Sequence, residues 1–203
     1  MFYETSANSH GMAYDPFKAL IAPRPVGWIS TLAADGRANL APYSFFNAFA
    51  ESPHYIAFGS GVARHGGMKD TLRNIAASGE FVHNLATFAL REAMNASSAN
   101  LDHGIDEFAL AGLAKAPSRL VAPPRVAASP VALECKLFQI VALPDADGSV
   151  EDHLVIGRVV GIHIDEAFIK NGRVDTASMQ PIARLGYSEY ATVTEAWRLR
   201  RPD

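Results

Sequence analysis

The chain is dominated by short stretches in which apolar or β-branched residues run together or alternate with polar ones, and helical spacing appears in only a few windows. Val26 to Leu32 is the first such run, Asp35-Gly36 follows it, and a second extended piece begins near Ala38. An Asp-Gly pair between two runs of this kind predicts a hairpin, because glycine adopts positive φ without steric cost. The second piece ends in the run APYSFFN, Ala41 to Asn47. Pro42 cannot donate to a sheet ladder, so regular pairing is expected to stop there, at a rim, leaving a hydroxyl, aromatic rings and an amide close together.

Tyr55 to Phe58 reads as the next strand, running into Gly59-Ser60-Gly61 as a flexible turn. Leu72, Ile75 and Ala76 have helical spacing, with Gly79 as the stop and Asp70 or Thr71 able to cap the start. Asp15-Pro16 opens a shorter helix through Leu20, and Pro23 and Pro25 end it and hold Arg24 extended. Phe81 to Leu85 is a strand and Phe88 to about Ala96 a helix. Residues 97–130 read as loops with a helical turn near Asp106 to Leu110, placed either over a cleft or against a second subunit. Val131 to Leu143 and about His153 to Ile164 form a long hairpin around the turn residues 144–149. Asn171-Gly172 marks another turn, Met179 to Gly186 an irregular passage and Tyr187 to Val193 a last strand. Helices inserted among strands without regular alternation point to one mainly β domain, an antiparallel barrel with helices packed outside it. Residues 1–12 form an arm and 194–203 a tail.

Composition changes this picture little. With 203 residues, 49% of them hydrophobic, one sizeable core is expected. A formal charge of -3 gives no general reason to expect nucleic acid or an anionic membrane as partner. Arg198, Arg200 and Arg201 read as a solvated tail. Cys135 is the single cysteine, which excludes an internal disulfide and a multi-cysteine zinc site, and its place in an apolar run predicts a buried thiol. Without a signal-peptide pattern at the start or an apolar run near 20 residues, a cytoplasmic protein is expected.

The chemistry-bearing residues fit a flavin mononucleotide. Its phosphate wants amide N–H groups, hydroxyls and a cation, and its ring wants an apolar slot with a polar edge. Lys69 and Thr71 stand at the start of a predicted helix, where they either meet an anion or serve only the helix end. Ser30, Thr31 and Ser44 add hydroxyls, and Asn47 offers a paired donor and acceptor. The sequence has no GxGxxG opening a helix, no P-loop ending, no GxSxG and no HExxH. His153 and His163 lie ten apart in one strand, without a carboxylate arranged to complete a metal site.

RPVGWISTLAADGRANLAPYSFFNAFAESP, KDTLRNIAASGEFVHNL, HLVIGRVVGIHID and PIARLGYSEY resemble, in order, the flavin reductase-like group of FMN-binding split-barrel proteins. The similarity spans about residues 12–193. It implies a six-stranded antiparallel split β-barrel, a homodimer with FMN at the subunit interface, and hydride transfer from NAD(P)H to FMN. Flavin, a ferric complex or a partner monooxygenase would be the acceptor; the other role open to such a protein is that of an FMN-binding electron carrier. By the same resemblance the flavin contacts fall on Ser30, Thr31, Leu32, Ser44, Phe45, Asn47 and Ser60. Lys69 and Thr71 take the phosphate, Arg184 lies near the cleft, and His153 faces the nicotinamide side.

Overall fold

The computed structural model describes residues 1–7, 9–63, 66–99 and 101–202. Asn100 of the 97–130 stretch and Asp203 of the tail therefore lie outside the described residues. In chain order the elements are α1 (Phe17–Leu20), β1 (Arg24–Pro25), β2 (Gly27–Leu32), β3 (Ala38–Tyr43), β4 (Phe46–Glu51), β5 (His54–Ser60), α2 (Asp70–Ser78) and β6 (Glu80–Leu85). A 3-10 turn, Phe88–Leu90, leads into α3 (Arg91–Ala96), followed by α4 (Glu107–Leu110), β7 (Lys115–Ala116) and β8 (Arg125–Val126). The long strands β9 (Val131–Pro144) and β10 (Val150–Ile164) precede β11 (Ile169–Lys170), β12 (Arg173–Val174), β13 (Ile182–Arg184) and β14 (Tyr190–Thr192). No helix of the described residues is long and apolar enough to cross a membrane.

One antiparallel sheet of seven strands, in the order β3-β2-β6-β9-β10-β5-β4, organises the molecule. The family resemblance implies six strands. The additional strand arises because Ala38 to Glu51 is divided at Ser44-Phe45 into β3 and β4, which pair on opposite edges of the sheet. A two-residue link spans at most about 10 Å, so the two edges must converge at that end. The interior agrees: the ring of Tyr43, on one edge, lies 4.7 Å from that of Phe58, next to the other edge. The sheet is thus curled, although no ladder joins β3 to β4 among the described pairings.

Strand β2 is central and buried on both faces, which is why it reads as a continuous run rather than an alternation. Successive residues feed two cores. Trp28 packs with Leu40, Met94, Phe108 and Val126 on one side, and Ile29 with Phe58, Ile75, Phe81 and Val155 on the other. Curvature leaves no room at Gly157, where a Cβ would stand 2.3 Å from Cζ of Phe81. Helix α2 lays Leu72 and Ile75 into the second core and stops at Gly79, whose φ of 70° lets its N–H reach the Ile75 carbonyl.

Two expectations need correction. Gly59 and Ser60 are not a flexible turn: they continue β5 and pair with Leu154 and His153 of β10. Glycine serves there because Phe45 approaches, its Cβ 3.2 Å from where a side chain at 59 would begin. Within the passage 179–186, residues Ile182–Arg184 form β13, paired with β1 and β14. The signal is weak because a three-residue strand shows almost no period.

Candidate functional site

Three segments converge beside the edge strand β3: residues 39–43 themselves, the start of α2, and the loop between α3 and α4. They enclose a cleft of about 370 Å³ lined by Asn39, Pro42, Tyr43, Lys69, Thr71, Ser98, His103 and Glu107, among others. This is the size range of small-molecule sites. The loop, which the sequence leaves between two roles, therefore forms one wall of the cleft.

The floor is a buried hydrogen-bond network. Thr71 donates to Asn39 Oδ1 at 2.7 Å, Thr31 donates to the same oxygen at 3.2 Å, and Asn74 donates to Thr31 at 3.0 Å. Asn39 Nδ2 donates to Glu107 at 2.9 Å, and the other oxygen of that carboxylate accepts from the Leu40 amide, also at 2.9 Å. Burial raises the Glu107 pKa, an effect only partly offset by these hydrogen bonds. At the rim, Asp70 accepts from the Gly104 amide at 3.0 Å, meets His103 Nδ1 at 2.5 Å and pairs with Arg73 at 3.0 Å, fastening the loop to α2.

The start of α2 has no side-chain cap; neither Asp70 nor Thr71 serves as one. Among the described residues its first amide donors thus lack an intrahelical or side-chain acceptor at the point where Lys69 enters the cleft. The Lys69 ammonium stands 5.6 Å from the centre of the Tyr43 ring. Burial holds its pKa below the ordinary lysine range, against an opposing pull from Asp152. Beside it, Tyr43 faces the hydroxyls of Thr71 and Ser60, and burial pushes its own pKa up to about 12. Among the described residues Ser60 Oγ and His153 Nδ1 are buried without a hydrogen-bond partner, and the Tyr43 hydroxyl, though close to those of Thr71 and Ser60, makes no hydrogen bond of good geometry. Buried polar groups left unsatisfied are costly, so three in one neighbourhood mark a place prepared for further donors and acceptors. His153 is opposite Ser60 in the β10–β5 pairing, which puts it in that group.

The other anticipated residues are placed differently. Thr31 lies one layer beneath the cleft, through Asn39. Ser30 is fully buried and donates to the Pro124 carbonyl at 2.6 Å. Leu32 packs on the core around Trp28. Ser44 and Phe45 form the link between the sheet edges, and Asn47 lies on β4 with its Oδ1 accepting from the Ala48 amide. Arg184 belongs to the small β1-β13-β14 sheet. Asn39 and Glu107 carry the floor, and no motif in the sequence marks either of them. A polar residue at an inward strand position is the only signal Asn39 gives, and Glu107 is one acid of the short helical turn near Asp106 to Leu110, with nothing local to join it to β3.

The cleft suits an anion joined to a larger polar group: a cation and free helix amides at one end, hydroxyls beside them, and an apolar Pro42 and Tyr43 wall. No group of three or more His, Cys, Asp or Glu among the described residues could hold a metal.

Comparison with known proteins bears on the family and the fold. The family model for the flavin reductase like domain matches residues 20–178. Nitrilotriacetate monooxygenase component B from Bacillus cereus superposes with a TM-score of 0.90 and 31% identity, covering 98% of each chain. The 2-nitrobenzoate 2-nitroreductase of Pseudomonas fluorescens gives 0.85 and 30%, covering 100% of this chain and 96% of its own. A split-barrel protein from Shewanella frigidimarina shares the fold at 0.79, with 22% identity over 98% and 94% of the chains.

Proposed function

Because the chain belongs to the flavin reductase-like domain family, we propose that it binds FMN in the cleft beside Lys69 and carries hydride from a nicotinamide to it. The observation that carries this reading is the set of buried groups left without a well-formed hydrogen bond among the described residues, Ser60 Oγ, Tyr43 OH and His153 Nδ1, around a partly desolvated Lys69 and an uncapped helix start. Lys69, the α2 amides and Ser60 would hold the phosphate, with Thr71 keeping the helix start in register through Asn39. Tyr43 and Pro42 would flank the remainder of the cofactor. When bound, FMN supplies the hydride-accepting centre. The protein's part is to position the donor and exclude water, so no side chain has to act as acid or base in that step.

The test is an anaerobic absorbance spectrum of the protein with FMN, before and after NADH and then NADPH. Rapid loss of the oxidised-flavin bands is expected with one or both donors. A bound flavin that neither donor bleaches would overturn the reductase reading in favour of an electron carrier. The two similar proteins carry different names, a component of a nitrilotriacetate monooxygenase and a 2-nitrobenzoate 2-nitroreductase. On this reading the cleft and the fold are shared, and the acceptor, whether free flavin, a ferric complex or a monooxygenase, is chosen by residues around the cleft.

A second copy of the chain fits strand β4. Residues 47–51 of this edge strand are all exposed, and Phe49 is 67% exposed, a surface that isolated proteins normally cover or charge. Sedimentation is expected to give twice 21.8 kDa, and Phe49→Asp to return the monomer. A monomeric parent protein would remove this part of the reading.

A further inference from the structure

The second histidine of β10, His163, belongs to a separate arrangement. Roughly 30 Å of extended strand divides it from His153, so it stands far along the sheet from the Lys69 cleft. There the start of β9, the end of β10 and residues 117–130 enclose another cavity, of about 380 Å³, lined by Arg119, Arg125, Ser129, His163 and Asp165, among others. Glu134 lies beneath its wall, fully buried. It stands opposite Gly161 in the β9–β10 pairing, which makes His163 its diagonal neighbour on the same face. One oxygen of the Glu134 carboxylate accepts from the Arg119 amide at 2.8 Å and meets His163 Nε2 at 2.5 Å. The other accepts from the Leu120 amide at 2.6 Å.

Burial pushes the Glu134 pKa up, but the hydrogen bonds from His163 and the two amides outweigh it and hold the carboxyl below the usual range. An ionised carboxylate can only accept, so Nε2 carries the hydrogen between the two side chains. In the neutral ring Nδ1 is then an acceptor, and it is the ring nitrogen left for the cavity. The same carboxylate fixes the loop where Arg119 leaves it. Arg125 is held by the β7–β8 pairing and by its Nε, which donates to the Pro117 carbonyl at 3.2 Å. Among the described residues neither guanidinium pairs with a carboxylate. Asp165, the acid in the cavity wall, accepts from the Ala167 amide through Oδ1 at 3.0 Å.

We infer that this cavity binds a small hydroxylated anion, a molecule that carries a phosphate or a carboxylate beside one or more hydroxyl groups. The anion lies between Arg119 and Arg125, whose planar forks match pairs of acceptor oxygens, and the hydroxyls donate to His163 Nδ1 and to Asp165. A ligand with the charge alone leaves those two acceptors without donors, and one with hydroxyls alone leaves both guanidiniums unpaired. The volume is that of a small-molecule site. The binding does not depend on the proposed function.

Calorimetric titration of the FMN-saturated protein with ribose 5-phosphate, gluconate, methyl phosphate and ribose tests the site. Ribose 5-phosphate or gluconate is expected to bind ten times or more tightly than either methyl phosphate or ribose, and the preferred one distinguishes a phosphate from a carboxylate ligand. Arg119→Gln, at an exposed position, should weaken it about tenfold, and Arg125→Gln by a similar factor. Arg119→Lys should restore part of the loss, and Lys69→Ala should leave the affinity unchanged. Four results would overturn the site: no binding of either hydroxylated anion, binding no tighter than methyl phosphate or ribose, indifference to both Gln variants, or a loss in Lys69→Ala, which places the ligand in the cleft. Flavin fluorescence on the same parent sample reads the Lys69 cleft separately. A protein that binds the hydroxylated anion but not FMN upholds this site and overturns the cleft reading.

Discussion

Replacing Lys69 and Thr71 together by Ala lowers FMN affinity by about 3 kcal/mol, roughly a hundredfold, on the proposed assignment. The two side chains act unequally. Lys69 brings a half-buried charge to the helix start and would meet the phosphate directly. Thr71 is 1% exposed and already donates to Asn39, so its removal would act mainly by loosening the floor on which the first α2 amides are aimed. Lys69→Ala alone should therefore cause most of the loss, and Thr71→Ser should retain most of the affinity. The two effects share a network and need not add. Titration of flavin fluorescence against each variant, with far-ultraviolet dichroism to confirm folding, makes the comparison. An unchanged affinity in the double variant would move the phosphate away from this end of the cleft.

Acid should destabilise the protein well before its carboxylates are titrated. His83 is buried on β6, stacked on Phe46 at 4.5 Å, and burial lowers its pKa from 6.5 to about 4. The unfolded chain takes up this proton near pH 6.5, while the folded chain resists it until about pH 4. Stability from this residue is thus fully present above pH 6.5 and is lost as the pH falls through that window. The expected loss is about 3 kcal/mol by pH 4. Urea midpoints measured from pH 7.5 down to 4 should show a decline that is shallower in His83→Phe, which keeps an aromatic ring against Phe46 and has no proton to gain. Parallel pH profiles for the two proteins would refute the assignment to His83.

Much of the fold is visible in the sequence because its signals are local. Asp35-Gly36 makes its hairpin through the positive φ of Gly36, Gly79 ends α2 in the same conformation, and the long β9–β10 pair follows from two β-rich runs around a polar turn. Lys69 and Thr71 could be found because a cation and a hydroxyl at a helix start have a known affinity for anions. Ser60 and His153 are brought to the same neighbourhood by a strand pairing whose register no local pattern encodes. Glu107 opens the short helix α4 and meets Asn39 across 68 positions of chain, a contact made by tertiary packing alone.

The two-residue link at Ser44-Phe45 has a mechanical meaning. Hydrogen bonds connect β3 through β2, β6, β9, β10 and β5 to β4, and the covalent chain returns from β3 to β4 in two residues. The sheet is therefore a tethered loop, more like a buckled strap than an open ribbon. In a ribbon the outermost strand peels first, and terminal elements open most easily. Here β3, although outermost by its hydrogen bonds, cannot peel at its Tyr43 end without pulling β4 from β5. Tension at either edge is carried by both, and the strand that bears Asn39 and Tyr43 has a stiffness that its place at the margin would not otherwise give it.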